Sequence, residues 1–417
     1  MLVIGGGVIG VSSAYYLARA GFDVTLVEKA DIAAGSSYGN SGLVVPSHAV
    51  PLAAPGVLWK GLKWMRDPES PFYIKPRLDW SLVKWLWRFG AACTPAHVRR
   101  AMPVLRDLSV ASLALYRELA ALPGLAFGFH QDGAMAVYRT EKGYEDAIHE
   151  SRLLAEAGIP TKLLDGLAAR AAEPSLLHGV VGGLLFPEDA HLVPDAFVTG
   201  LARVAEGLGV RIRRATEVLA FRTEGQGRRI VAVETTRGRL EANTVVLAAG
   251  SWSPGLARSL GLDVPIQPAK GYSITHESPT DGPQGPKIPL LLSEVRVAVT
   301  PMGDRLRFGG TLELAGLDLA VSRRRVAAIA RGARRYLAVS DHLPVVEIWR
   351  GLRPCTPDGL PIIGRPRRLE NLVFAAGHAM IGMSLGPITG KLVSELVAGE
   401  TPAVPAGHVS AVSPDRF

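Results

Sequence analysis

The apolar and polar positions fall into short buried strands, amphipathic helices and glycine-rich turns. Leu2-Val3-Ile4 predicts a strand, Gly5-Gly6-Gly7-Val8-Ile9-Gly10 a tight turn, and 11–20 an alanine-rich helix that Gly21 ends. A second strand over 22–27 closes on Glu28. Small and polar residues fill 34–42, and a stretch with Pro46, Pro51 and Pro55 follows. Two tryptophan-rich segments come next, Trp59 and Trp64, then Trp80, Trp85 and Trp87, interleaved with Lys60, Lys63, Lys84 and Arg88. Helical periodicity then covers 99–122, 143–158, 194–208, 322–337 and 387–398. Alternating or continuous apolar runs predict strands at 133–138, 210–212, 216–221, 230–235, 244–250, 271–275, 295–300, 305–310 and 372–376.

The opening turn carries chemistry. Strand, G-x-G-x-x-G and helix in that order begin a Rossmann unit: Gly5 permits the turn, Gly7 lets backbone approach a pyrophosphate, and Gly10 lets helix and strand pack closely. The amides of Val8 and Ile9 would face the phosphates at the positive end of the helix. Glu28 stands where a carboxylate accepts hydrogen bonds from both ribose hydroxyls, which disfavours NADP and leaves NAD and FAD open. Rossmann-like segments at both ends and in the middle predict an α/β chain (α+β overall). Its Rossmann-type domain is discontinuous, 1–56, 187–265 and 345–417, with an antiparallel-sheet substrate domain, 57–186 and 266–344, inserted.

Composition changes this picture little. Hydrophobic content of 48% with 20% charge is ordinary for a globular enzyme. No apolar run reaches the roughly 20 residues that span a bilayer, and the first strand leaves no room for an export signal, so a cytoplasmic location is expected. Cys93 and Cys355 form no disulfide framework and no metal-ligand spacing. The net charge of +8 suits an anionic substrate or membrane surface. No motif supports nucleic-acid binding, and Arg323-Arg324-Arg325 is most simply a solvated helix face.

Further segments carry a family resemblance. They are 35–42 (Gly-Ser-Ser-Tyr-Gly-Asn-Ser-Gly), Ala53-Ala54-Pro55-Gly56 leading to Leu62-Lys63-Trp64-Met65, Pro268-Ala269-Lys270-Gly271-Tyr272, Gly351-Leu352-Arg353-Pro354-Cys355-Thr356-Pro357-Asp358-Gly359, Gly377-His378, and Gly386-Pro387-Ile388-Thr389-Gly390. Over residues 1 to about 399 the chain resembles the FAD-dependent amino-acid oxidoreductases, the family of D-amino-acid oxidase, glycine oxidase and sarcosine oxidase. Within it the resemblance is to the bacterial D-amino-acid dehydrogenases.

The resemblance implies a Rossmann-type FAD-binding domain and oxidative deamination of a D-amino acid. Hydride would pass from Cα to the flavin, and electrons onward to a quinone or an artificial dye. It implies that Glu28 and Lys29 hold the adenosine, that Ser36 and Ser37 lie beside the pyrophosphate, and that Val218 contacts the adenine. Gly42, Leu43 and Val44 border the isoalloxazine; Ala249, Gly250 and Trp252 form a second close approach; Gly377, Ile381, Gly382, Met383 and Ser384 run along the flavin edge. A helix starting near Pro387 would aim its positive end at the ring. Arg353 would clamp the substrate carboxylate, with Tyr272 a second contact. His48, His378 and Met380 are further pocket candidates. Met380 stands where glycine oxidase carries another arginine, so the pocket should be more apolar. Gly351 stands where sarcosine oxidases carry the cysteine that links to flavin, so noncovalent FAD is expected. The tryptophan-rich 57–90 reads as a lid that also rests on a membrane, or as helices packed on their own domain. An oxygen-using oxidase of glycine, sarcosine or a proline-type amine, and an electron-relay subunit, are the alternatives.

Overall fold

The computed structural model describes residues 1–65, 69–278, 285–338 and 343–417, with the side chains of Lys60, Leu62 and Lys63 outside the description. Leu2–Ile4 sits inside a six-stranded sheet ordered Ile362–Gly364, Leu372–Ala376, Val245–Leu247, Leu2–Ile4, Thr25–Val27, Arg211–Arg213. All neighbours run parallel except the first pair. The inner strands Leu2–Ile4, Val245–Leu247 and Leu372–Ala376 read as unbroken apolar runs because helices cover them. The first helix, Val8–Arg19, and the last long one, Gly382–Ala398, cross at glycines: a Cβ on Gly390 would lie 2.5 Å from Ser12 C, and one on Gly386 2.6 Å from Val8 Cγ2. Both helices therefore bring their N-termini to the same end of the sheet.

The second layer is a nine-stranded sheet. Its path runs Val345–Cys355, Gln267–Glu277, Arg305–Leu314, Val297–Met302, Leu290–Leu292, Ala134–Tyr138, Gly182–Phe186, Lys162–Asp165, with Phe72–Ile74 pairing alongside Arg305–Leu314. It is antiparallel at most junctions but parallel at Leu290–Leu292 with Ala134–Tyr138 and at Phe72–Ile74 with Arg305–Leu314. The helix Arg323–Arg334 covers one face, packing Val326, Ile329 and Ala333 against Tyr272, Ile274 and Phe308.

Several elements pack otherwise than the sequence predicts. The helix expected at 99–122 spans Pro95–Ala120, started by Pro95 and a Thr94 side chain that accepts from His97 N. Its Leu105, Leu108 and Tyr116 share one core with Val11, Leu17, Leu385 and Leu392, so it belongs with the Rossmann layer and not with the rest of 57–186. Strand Val345–Cys355 pairs along its length with Gln267–Glu277, so it belongs to the second sheet although 345–417 was expected with the first. An amphipathic stripe says that a face is buried, not which layer buries it. The last helix begins at Gly382, not near Pro387. Pro387 cannot donate to the Met383 carbonyl four residues earlier, and the buried Tyr116 hydroxyl donates to that oxygen instead, at 2.5 Å. No helix among the described residues is long and apolar enough to cross a membrane.

Candidate active site

The glycine turn is shaped by close backbone. Gly5 has φ +115°, and a Cβ there would lie 2.5 Å from Ala248 O; a Cβ on Gly10 would collide with Gly5 O. Ser37 Oγ, which also lies against Gly7, accepts from Val8 N at 2.9 Å. Glu28 is held at the end of its strand by two amides, Gly6 N at 2.7 Å and Ala30 N at 2.9 Å. Beside it, Lys29 Nζ sits 3.5 Å over the Trp252 ring, and partial burial lowers its pKa. Val218 is buried at the start of strand Val218–Glu224, and Ala249-Gly250 follow strand Val245–Leu247 into a short turn at Gly250–Trp252. These residues therefore line one end of the sheet.

Further along, Gly42 adopts φ +71° where a Cβ would run into Leu192 O. Leu43–Val44 pairs with Ala190–His191. Ser384 Oγ ties this strand to the last helix, donating to Leu43 O at 2.9 Å and accepting from Val45 N at 3.1 Å. Ile381 is the N-cap residue, and its side chain caps none of the amides of the first turn, Gly382 to Ser384. Gly377 has φ +79°, and a Cβ there would meet Thr356 Cγ2 at 2.7 Å.

Arg353 lies on the face of the second sheet shared by Gly271 and Gly351. A Cβ on Gly271 would fall 2.5 Å from Arg353 Cζ, so the guanidinium lies against that glycine's backbone. Its Nη1 donates to Thr311 O at 2.6 Å, and Thr311 itself holds φ +68° at an irregularity in the strand. Among the described residues no carboxylate pairs with Arg353. Burial lowers its pKa, with the nearby Cys355 thiol opposing. Ser36 Oγ at 2.5 Å and Ser251 Oγ at 3.0 Å both donate to Leu352 O, fixing this strand to the Rossmann layer.

Tyr272 does not join Arg353. Successive side chains on a strand point to opposite faces, and Tyr272 pairs with Arg350 while Ala269 pairs with Arg353. Its hydroxyl donates to Glu313 Oε2 at 2.9 Å, inside the core under helix Arg323–Arg334. His378 is buried, with Nε2 2.9 Å from Thr389 Oγ1 and Nδ1 unpartnered, and burial pushes its pKa down to about 3. Burial likewise pushes His48 down to about 4. Both imidazoles are neutral. Met380 is 47% exposed, after Ala379 at φ +45°.

Three groups escaped the sequence reading. The Trp349 indole lies over Gly351 and Gly39, where a Cβ on either would collide with it. Buried Arg307 donates from Nη1 to Tyr38 O and Asn40 O, both at 2.9 Å, and from Nε to Thr275 Oγ1 at 3.0 Å, anchoring the loop before Gly42. Buried Asp189 accepts from Ser47 Oγ at 2.5 Å and Ser47 N at 3.1 Å, fixing the segment that carries His48. The sequence signals were slight: paired glycines at 309–310, isolated glycines at 39 and 351, and an acidic pair, Glu188-Asp189, after Pro187.

Residues 1–396 match the family described as FAD dependent oxidoreductase. The chain belongs to this family. Among its relatives is the D-amino acid dehydrogenase of Methylobacterium radiotolerans, 38% identical over 409 residues that cover 97% of each chain. A second, from Granulibacter bethesdensis, is 35% identical with the same coverage. Glycine oxidase from Geobacillus kaustophilus is a structural neighbour at TM-score 0.79 and 25% identity, covering 100% of this chain and 98% of that one.

The residues present fit FAD. A backbone cradle at Gly5–Gly10, a carboxylate at the end of the second strand and two helix N-termini side by side are the donor set that an adenosine diphosphate and an electron-accepting ring require. Gly5, Gly7, Gly10, Glu28 and Ser37 gather where strands Leu2–Ile4 and Thr25–Val27 end and the first helix begins. Gly42, Ile381, Gly382 and Ser384 stand at the end nearer the second sheet.

Proposed function

We propose that the protein dehydrogenates D-amino acids to imino acids, which water converts to 2-oxo acids and ammonia. The observation that carries this reading is the half-buried guanidinium of Arg353, without a carboxylate partner among the described residues and pressed against Gly271. A charge removed from water is costly until an anion meets it, and a guanidinium meets a carboxylate through two parallel donors. The names of the relatives, D-amino acid dehydrogenase, supply the substrate class.

FAD, when bound, supplies the hydride acceptor. This chain's residues bind and orient. Arg353 fixes the carboxylate, Thr311 O and Gly271 fix Arg353, and the two clamped serines fix the strand beneath it. Trp349 and Met380 are the apolar groups we assign to shielding the site. No side-chain base is assigned: His378 is tied to Thr389 and buried neutral, so the substrate amine binds unprotonated. Catalysis is then orientation and exclusion of water.

FAD is held noncovalently in this reading. The Cys355 thiol is buried and its pKa pushed up to about 12, so it is no thiolate nucleophile. Electrons pass to a quinone or an artificial dye at a membrane surface, which the protein meets through Trp59, Trp80 and Trp87, exposed by 77%, 84% and 74%. Dye reduction without peroxide formation in air separates this from an oxidase.

The test is Arg353→Ala. FAD content should be unchanged, and kcat/KM for a D-amino acid should fall by about 10²–10³ through a raised KM. Near-normal kcat/KM would remove Arg353 from the site.

A further inference from the structure

We propose that the cleft between helix Trp80–Ala92 and helix Ser253–Ser259 binds the phosphate of an anionic lipid headgroup. This deepens the membrane contact proposed above and rests on it. The cleft holds about 60 Å³ and is lined by Ser81, Lys84, Trp85, Arg88, Arg258 and Asp263, among others. Arg88 Nη1 is buried with no hydrogen-bond partner, and the Phe417 ring lies 5.7 Å from its Cζ. Arg258 is exposed, and no carboxylate among the described residues pairs with either arginine. Lys84 pairs with the one acid of the lining, Asp263, both of them half-exposed at the rim. Guanidinium groups facing a cleft of this size suit a phosphate, which accepts parallel hydrogen bonds.

The surroundings point to a bilayer, not to a soluble phosphate. Trp80, Val83 and Trp87 recur at i, i+3 and i+7 and form an exposed stripe on the same helix. Lys84 and Arg88, at i+4 and i+8, flank that stripe on the cleft side. Leu58, 44% exposed, lies 3.6 Å from where a Gly90 Cβ would stand, so the stripe continues onto helix Val57–Trp64 with Trp59. Just before the helix start, Leu78 is also exposed. Indoles at headgroup depth with basic groups beside them are the pattern of an interfacial helix on anionic lipid. The opposite face of the helix is buried on the active-site strand, where Trp85 Nε1 donates to Cys355 O at 2.9 Å.

The experiment is co-sedimentation of the FAD-loaded full chain with vesicles of phosphatidylcholine alone and of phosphatidylcholine mixed with phosphatidylglycerol. The wild type should bind the mixed vesicles about tenfold or more tightly than the neutral ones. Arg88→Gln/Arg258→Gln should bind neutral vesicles like the wild type and lose most of that preference. Arg203→Gln/Arg239→Gln removes the same charge outside the cleft and should keep it. FAD content and Tm of each variant check folding. A cleft variant that keeps the preference, or a control that loses as much, overturns the site while the membrane contact stands. Failure of the wild type to bind either vesicle overturns both. A thermal shift by inorganic phosphate alone, absent in the cleft variant, with vesicle binding the same in both, assigns the cleft to soluble phosphate and overturns the lipid reading.

Discussion

The guanidinium of Arg353 rests on Gly271 and donates to a carbonyl that Thr311 presents only because its backbone is left-handed. Its rotamer is thus set before a substrate carboxylate arrives. Gly271→Ala would push a methyl into the guanidinium, and KM for a D-amino acid should rise about tenfold with FAD binding intact; an unchanged KM would show that the arginine relaxes freely. Arg353 was legible in the sequence because Gly-Leu-Arg-Pro is local. Tyr272 was misread because a motif does not reveal strand parity, and Arg353's supports, Thr311 O and Gly271, were hidden because they lie on neighbouring strands. Asp189 makes a separate prediction. Burial raises its pKa to about 7, with hydrogen bonds from Ser47 opposing. The folded state keeps a proton that the unfolded chain loses near the ordinary carboxylate pKa, so this stability is full at low pH and lost as pH rises through about 7. Tm of the wild type should decline between about pH 4 and 7, and Asp189→Asn should flatten that decline. Parallel declines in both proteins would place the proton elsewhere.

At the scale of elements, the cofactor end depends on two helices whose N-termini lie together. Their crossing is set by Gly386 and Gly390 against Val8 and Ser12. Gly390→Ala places a Cβ against backbone that cannot swing aside, and should cost about 1–3 kcal/mol, read as a lowered denaturation midpoint. The same helix carries Pro387 in its second turn, stabilised by the Tyr116 hydroxyl on the Met383 carbonyl. Tyr116→Phe leaves that buried oxygen without its donor and should cost about 1–3 kcal/mol. No change in stability in either variant would mean that the helix ends adjust independently of one another. Sequence reading put the start of this helix near Pro387 because proline favours first turns. The partner that makes an interior proline tolerable is on another helix, 267 residues away in the chain, and periodicity carries no trace of it.

Over the whole molecule, the Rossmann opening, the second glycine approach and the return at Leu372–Ala376 were legible because parallel strands announce themselves as apolar runs ending in glycine. The allocation of segments to layers was not. The long helix Pro95–Ala120 and strand Val345–Cys355 each lie on the side opposite to the one their neighbours in sequence suggest. That exchange matters to function: strand Val345–Cys355 carries Arg353 into the second sheet, while Leu352 O is clamped from the first by Ser36 and Ser251. The two layers therefore meet at the residue proposed to hold substrate, at the same end of the sheet where the helix N-termini gather. The most direct test of this account is anaerobic mixing of the FAD-loaded protein with a single amino acid, following flavin absorbance in stopped flow. A D-amino acid should bleach the flavin within the time of turnover, with no other component present, while its L-isomer and its carboxamide should bleach it far more slowly. Equal bleaching by the carboxamide, or none by any D-amino acid, would contradict it.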